Sequence, residues 1–237
     1  MISVNYVINP GSPACVPVQG NESLFPVHRI YCVGRNYAEH AREMGGSPER
    51  EPPFFFSKPA DAVVSKSTVP FPRMTAELHH EVELVVALGS GGSNVPSAAA
   101  LSLVYGYAVG VDLTRRDLQS AAKTLRRPWD VAKGFDQSAP VSAIVPASIC
   151  GHPQNGAISL SVNGNERQRG DLEQMIWSVP EILAELSRYY DLRPGDLVFT
   201  GTPAGVNALE PGDCVECTIE RVGSLAFTLD ARNSVHR

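Results

Sequence analysis

The alternation of apolar and polar positions divides the chain into short extended segments with a few helices between them. Glu81-Val-Glu-Leu-Val-Val-Ala-Leu88 is the clearest strand: Val82, Leu84, Val86 and Leu88 share one face, and Glu81 and Glu83 begin the other. A second apolar run, Val104 to Val111, ends at Asp112. Arg29 to Val33, Ile158 to Val162, Asp196 to Thr200, Cys214 to Glu220 and Leu225 to Leu229 read as further strands, with Asn163-Gly164 as a turn. Helices are expected over Tyr37 to Met44, stopped by Gly45-Gly46, over Ser97 to Leu103, from a Thr114 cap to about Lys123, and over Val179 to Tyr190. Pro52-Pro53 and Pro70-Phe-Pro72 keep their surroundings extended. Many short strands, Gly and Pro turns and few helices predict an α+β fold with a mainly β core, and the absence of regular βαβ alternation argues against a doubly wound sheet. Residues 1–27 read as a short N-terminal module and 28–237 as the main domain.

Bulk properties narrow the function. A chain of 237 residues with 43% hydrophobic and 19% charged positions has enough apolar material for a large core, which excludes intrinsic disorder. The formal net charge of -5 offers no basic stripe, so no nucleic-acid partner is expected. No run approaches the roughly 18 apolar residues of a membrane span. Met1 to Pro10 has neither the basic nor the apolar part of a secretory signal, and a cytoplasmic location is expected. The five cysteines are odd in number and scattered, which argues against a disulfide framework. Cys214-Val-Glu-Cys217 has CxxC spacing, but in a strand these two positions point to opposite faces.

The acidic face of the clearest strand changes the picture. Glu81 and Glu83 leave the same face and repel unless something positive sits between them; a divalent cation with hard oxygen ligands answers this economically. Asp112, emerging at the end of an apolar strand, is the natural third ligand, although a solvated strand edge fits the same spacing. Arg116 and Gln119 share one helix face at i and i+3 and point back toward Asp112, beside backbone N–H groups that favour an anion. A surface ion pair between Arg116 and Asp112 or Asp117 is the alternative. His40 and Glu43, also at i and i+3, form an acid–base pair if they face a substrate and a helix-surface contact if they do not. Lys58 and Lys133 each follow apolar or aromatic stretches that suggest partly buried stems with a functional ammonium. His79 and His80 face opposite ways along the strand and are left out of the metal set.

Taken in order, Tyr31-Cys-Val-Gly-Arg-Asn-Tyr-Ala-Glu-His40, Phe56-Ser-Lys-Pro59, His79-His-Glu-Val-Glu-Leu84, Val111-Asp-Leu-Thr-Arg-Arg-Asp-Leu-Gln119, Trp129-Asp-Val-Ala-Lys-Gly-Phe135, Val162-Asn-Gly164 and Asp196-Leu-Val-Phe-Thr-Gly-Thr-Pro203 resemble the fumarylacetoacetate hydrolase family, in its short single-domain members. The resemblance covers residues 29 to 230 and implies a mixed β-sandwich roll, a homodimer and a magnesium or manganese ion. It implies Glu81, Glu83 and Asp112 as metal ligands and His40 and Glu43 as the water-activating dyad. Arg116, Gln119 and Lys133 would bind the substrate's carboxylate and oxygens, with Lys133 and Gln119 stabilising an oxyanion; Thr202, Arg35 and Lys58 would belong to the same pocket. The implied reaction is metal-dependent hydrolysis of a C–C bond in a small 2,4-diketo acid. Arg29 to Met44 followed by Glu51 to Phe56 is similar to bacterial members that hydrolyse fumarylpyruvate in gentisate-type aromatic degradation. Acylpyruvase, oxaloacetate decarboxylase and keto–enol isomerase activities are the alternatives within the family, and a non-catalytic metal- or ligand-binding protein is the alternative outside it.

Overall fold

The computed structural model describes residues 6–9, 11–45 and 50–230; positions 1–5 and 10 of the N-terminal module, Gly46 of the expected helix stop, and positions 231–237 lie outside them. A hairpin of β1 (Cys15–Val18) and β2 (Asn21–Pro26) opens the chain, followed by β3 (Arg29–Gly34), the short helix α1 (Ala38–Glu43) and β4 (Phe54–Lys58). The two apolar runs become β5 (Val82–Leu88) and β6 (Val104–Val111), and helices α2 (Arg116–Leu125) and α3 (Asp130–Lys133) come next. The second half holds β7 (Ala157–Val162), β8 (Asn165–Asp171), α4 (Val179–Tyr189), β9 (Asp196–Phe199), β10 (Cys214–Ile219) and β11 (Gly223–Asp230).

One sheet runs Val145–Pro146, β6, β5, β9, β3, β4, with β9 and β3 parallel and the other neighbours antiparallel. The other runs β8, β7, β10, β11, Thr68–Pro70, antiparallel except for its last pair. Their inner faces share one buried cluster, in which Leu84, Val86 and Val109 meet Leu160, Val215 and Phe227. This is the mixed α+β roll that the sequence predicts. Every residue of β5 is buried, because the strand has a core on each side. Its second face, Val85 and Ala87, packs with Ile30, Leu197 and Phe199 and with Val16, Val18 and Phe25 of the N-terminal hairpin.

Local chemistry explains the agreements and the differences. Asn163 and Gly164 take φ of 52° and 75°, the left-handed pair that a tight turn between β7 and β8 requires. Cys217 is buried and Cys214 half-buried on opposite faces of β10, and all five cysteines are free thiols. Thr114 does not cap a helix. It pairs with His79 in a two-residue strand, its hydroxyl donates to the Asp112 carbonyl at 3.1 Å, and α2 begins at Arg116. The stretch expected as a helix at Ser97 to Leu103 is one α turn, Ser97–Ala100, tightening into a 3-10 turn over Leu101–Leu103. Among the described residues no helix is long and apolar enough to cross a membrane.

Because β5 is enclosed on both faces, a cavity there has little room to collapse. Leu84→Ala is expected to destabilise the fold by about 2–5 kcal/mol, read as a lower urea midpoint at unchanged slope. A loss below about 0.5 kcal/mol would mean that the two sheets are not closed over Leu84.

Candidate active site and metal centre

Glu81 immediately precedes β5, Glu83 is its second residue, and Asp112 immediately follows β6. The antiparallel register sets Val82 opposite Val111, and the Asp112 N–H donates to the Glu81 carbonyl at 2.8 Å. Three carboxylates are thereby fixed by backbone pairing at one end of the central strands. One oxygen from each lies within 4.8 Å of the others, and all three side chains are buried. They form the floor of a cavity that His40, Arg35, Arg116, Gln119, Lys133 and Thr202 also line.

Three cations compensate the carboxylates unevenly. Lys133 Nζ donates to Glu81 Oε2 at 2.8 Å, to Asp112 Oδ2 at 2.6 Å and to Thr114 Oγ1 at 2.7 Å, which commits all three of its hydrogens. Arg116 donates to Glu81 Oε1, to Gln119 Oε1 at 2.5 Å and to His79 Nδ1 at 3.3 Å. Lys58 Nζ lies 2.8 Å from Asp112 Oδ1 as an ion pair, yet its aim is off line and Oδ1 is left without a hydrogen bond. Among the described residues, Glu83 receives only the Gly201 N–H, at 2.7 Å. Burial pushes Glu81 up, but Lys133 and Arg116 outweigh it and hold that carboxyl well below the usual range. Glu83 is pushed well above it, by burial and then by the charges of Asp112 and Glu81.

This donor set fits a divalent cation. It offers three hard oxygens, with one carboxyl forced toward its neutral form by burial and by its two carboxylate neighbours, and no thiolate or imidazole among them. Glu81, Glu83 and Asp112 would hold the ion.

His40 and Glu43 stand side by side at the cavity. His40 Nδ1 lies 3.1 Å from Glu43 Oε2, while Glu43 Oε1 accepts the Gly205 N–H at 3.1 Å. Burial raises the Glu43 carboxyl, but the hydrogen bonds from His40 and Gly205 bring it below its ordinary value. An ionised carboxylate only accepts, so Nδ1 carries the hydrogen, and in the neutral imidazole the lone pair is on Nε2. His40 lines the cavity and Glu43 stands behind it.

Several expectations are adjusted by the geometry. Lys58 does not line the cavity; its fully buried ammonium sits behind Asp112 and donates to the carbonyls of Leu113 and Lys133, so it positions a carboxylate instead of meeting a substrate. Arg116 turns toward Glu81 and not toward Asp112. The first N–H groups of α2 go to Glu77 O and Asp117 Oδ1, which leaves no anion site there. Sequence reasoning also passed over two buried amides. Gln168 donates to Thr202 Oγ1 and Pro203 O, both at 2.8 Å, and accepts from His80 Nδ1 and the Val82 N–H, tying the 201–203 loop to the start of β5. Asn36 bonds Trp177 and Thr200 on the other side of that loop. Gly201 sits at φ 98°, where a Cβ would come within 2.7 Å of the Asn36 Cβ, so glycine is what allows its N–H to reach Glu83. Only the position of Asn36, one residue after Arg35, gave any signal; a lone buried Gln in a polar strand gives none.

The raised Glu83 carboxyl has a measurable consequence. A cation requires it ionised, so Mg2+ or Mn2+ binding should release a proton over the pH range in which Glu83 titrates, and affinity should rise with pH there. Calorimetry in buffers of different ionisation enthalpy reads this directly, and Glu83→Gln should remove the dependence while weakening binding. A buffer-independent heat would show that Glu83 is already ionised.

Residues 29–230 match the family described as fumarylacetoacetate (FAA) hydrolase C-terminal. The structure resembles the fumarylpyruvate hydrolase of Pseudomonas aeruginosa in complex with Mn2+ and pyruvate, with a TM-score of 0.94 and 51% identity, over 96% of this chain and 100% of that one. The chain is 44% identical over 180 residues to a fumarylpyruvate hydrolase of a Ralstonia species, over 76% of this chain and 93% of the relative. It is also 44% identical over 202 residues to a mitochondrial oxaloacetate tautomerase of Rattus norvegicus, over 85% of this chain and 91% of that protein. With the match spanning most of its length and including every carboxylate of the cluster, the chain belongs to the fumarylacetoacetate hydrolase C-terminal family.

Proposed function

We propose that this protein hydrolyses a C–C bond in a 2,4-diketo acid, with fumarylpyruvate, cleaved to fumarate and pyruvate, as its substrate. The observation that carries the reading is the buried Glu81–Glu83–Asp112 cluster facing the His40–Glu43 dyad across one cavity. Similarity to two fumarylpyruvate hydrolases, one of them solved with Mn2+ and pyruvate, supports the substrate. The reading includes magnesium or manganese as the ion, a homodimer, cytoplasmic action and a place in aromatic degradation; Mn2+ in the solved relative supports the ion.

Charge bookkeeping fits an anionic substrate. Glu81, Glu83 and Asp112 are balanced by Lys58, Lys133 and Arg116, so a divalent ion makes the floor of the cavity positive overall. When bound, that ion supplies Lewis acidity to the 1-carboxylate and 2-oxo end of the substrate. The chain's own groups do the rest. His40 Nε2 takes a proton from water as its oxygen bonds to the distal carbonyl carbon, and Glu43 stabilises the imidazolium through Nδ1. Lys133, the expected oxyanion donor, has every N–H engaged. Among the described residues, the Gln119 Nε2 amide and the Thr202 hydroxyl, which accepts from Gln168, have hydrogens free to donate to that oxygen. When the oxygen re-forms its double bond, the C3–C4 bond breaks, its electron pair enters the enolate of pyruvate, and C3 takes the proton back from His40.

A second reading is favoured by the oxaloacetate tautomerase relatives: keto–enol isomerisation needs the same base and floor without an attacking water. Loss of enolate absorbance distinguishes the readings when fumarylpyruvate, acetylpyruvate and oxaloacetate are compared with Mg2+ and then with EDTA. Metal-dependent cleavage with fumarylpyruvate well ahead is expected; preference for oxaloacetate without cleavage establishes the second reading instead. Glu43→Gln should lower turnover roughly 10²–10⁴-fold with Mn2+ binding unchanged. Unchanged turnover in that variant would remove the dyad from the mechanism.

A further inference from the structure

The mouth of the cavity carries charge that the chemistry above does not use. Arg116, Gln119 and Lys123 fall at i, i+3 and i+7 on α2, which puts them on one helix face, and all three line the cavity. Arg116 and Gln119 are engaged with Glu81 and with each other. Lys123 lies two turns, about 10 Å, farther along the helix axis. Its half-buried ammonium has no carboxylate or hydrogen-bond acceptor among the described residues and rests over the Trp129 ring, 5.3 Å from its centre. Arg35 has no acidic partner there either, and its guanidinium stands 5.9 Å over Phe54. The two rings meet edge to face at 5.4 Å. Burial, then the charges of Arg116 and Arg35, push the Lys123 ammonium below its ordinary value, as expected for a cation placed among cations. Gly34 makes the arrangement possible, since any Cβ there would run into the Phe54 ring.

Two unpaired cations at the mouth, with a positive floor at the other end, suit a ligand that is anionic at both ends. We propose that Lys123, assisted by Arg35, binds a second carboxylate at the far end of the substrate, so that the cavity selects dicarboxylic diketo acids over those ending in an alkyl group. The distance along α2 favours a chain longer than a four-carbon keto acid, and the Phe54 and Trp129 rings offer faces to a planar, unsaturated one. The inference rests on the diketo-acid reading above and adds what lies at the substrate's distal end.

Fumarate and crotonate differ by one carboxylate exchanged for a methyl group, and they probe the mouth without turnover. With Mn2+ and saturating pyruvate present, calorimetric titration should show fumarate binding roughly ten- to a hundredfold more tightly than crotonate. In Lys123→Met that preference should disappear, and Lys123→Arg should restore part of it; Lys123→Gln serves the same purpose if the Met variant does not fold. The ratio of kcat/KM for fumarylpyruvate over acetylpyruvate should fall by a similar factor in Lys123→Met, mainly through KM. Equal binding of fumarate and crotonate by the unmodified protein, or an equal loss on both substrates in the variant, overturns the proposal. If fumarate binding depends on Lys123 but no diketo acid is cleaved, the proposed activity fails and the carboxylate site stands; cleavage without that dependence gives the reverse.

Discussion

Three carboxylates buried side by side, two of them paired with buried cations, dominate this structure. Glu81, Glu83 and Asp112 are held together by strand register, which backbone hydrogen bonds enforce whatever the side chains prefer. Burying them costs several kcal/mol per charge unless compensation arrives from elsewhere. Lys58 comes from the end of β4, Arg116 from the start of α2 and Lys133 from the end of α3, so three separate elements must converge on one point. Folding and assembly of the site are therefore the same event. The connections between β4 and α3, irregular as they are, have their geometry set by this convergence.

The sandwich provides rigidity where the chemistry needs it. β5 is enclosed by two cores, one between the sheets and one beneath the N-terminal hairpin, which leaves its first residues little freedom. The 201–203 loop gains comparable definition from buried amides: Gln168 on one side and Asn36 on the other fix the turn that aims the Gly201 N–H at Glu83 and holds Thr202 in the cavity. The dyad is built differently. His40 and Glu43 sit on a helix of only six residues, and Glu43 is anchored by backbone amides of the loop that follows Thr202. The carboxylates are thus set by the sheet, and the His40–Glu43 pair by a short helix beside it.

What the sequence made legible follows from this division. β5 and β6 were readable because apolar periodicity is strongest where a strand is buried, and the carboxylates stood out against that background. β8 was not readable: Asn-Glu-Arg-Gln-Arg-Gly-Asp has no apolar stripe, and its one fully buried side chain is Gln168, which acts by hydrogen bonding. Thr114 looked like a cap because a threonine before a helical stretch usually is one; pairing with His79 and contact with Lys133 took precedence. Lys58 and Lys133 were recognised as partly buried, but only packing shows that one stands behind Asp112 and that the other is fully engaged. Spacing identifies which residues share a face and is silent on which hydrogens are already used.

That distinction between engaged and free donors decides roles within the cavity. Lys133 and Arg116 carry formal charge and are the obvious candidates to meet an anionic substrate, yet all three N–H groups of Lys133 and three of the five of Arg116 are bound to carboxylates and neighbouring side chains. A charge so engaged still contributes its field, which falls off slowly in a buried site, but it offers little directional hydrogen bonding. The directional donors are neutral: the Gln119 amide and the Thr202 hydroxyl, each held by a partner through its oxygen, with its N–H or O–H hydrogens unassigned among the described residues. Lys123 and Arg35 complete the pattern in the opposite sense, as cations resting on aromatic faces with their hydrogens unassigned among the described residues. From floor to mouth the cavity passes from engaged charge to neutral donors to unengaged charge, an order suited to a substrate whose two ends are anionic and whose reacting carbonyl lies between them.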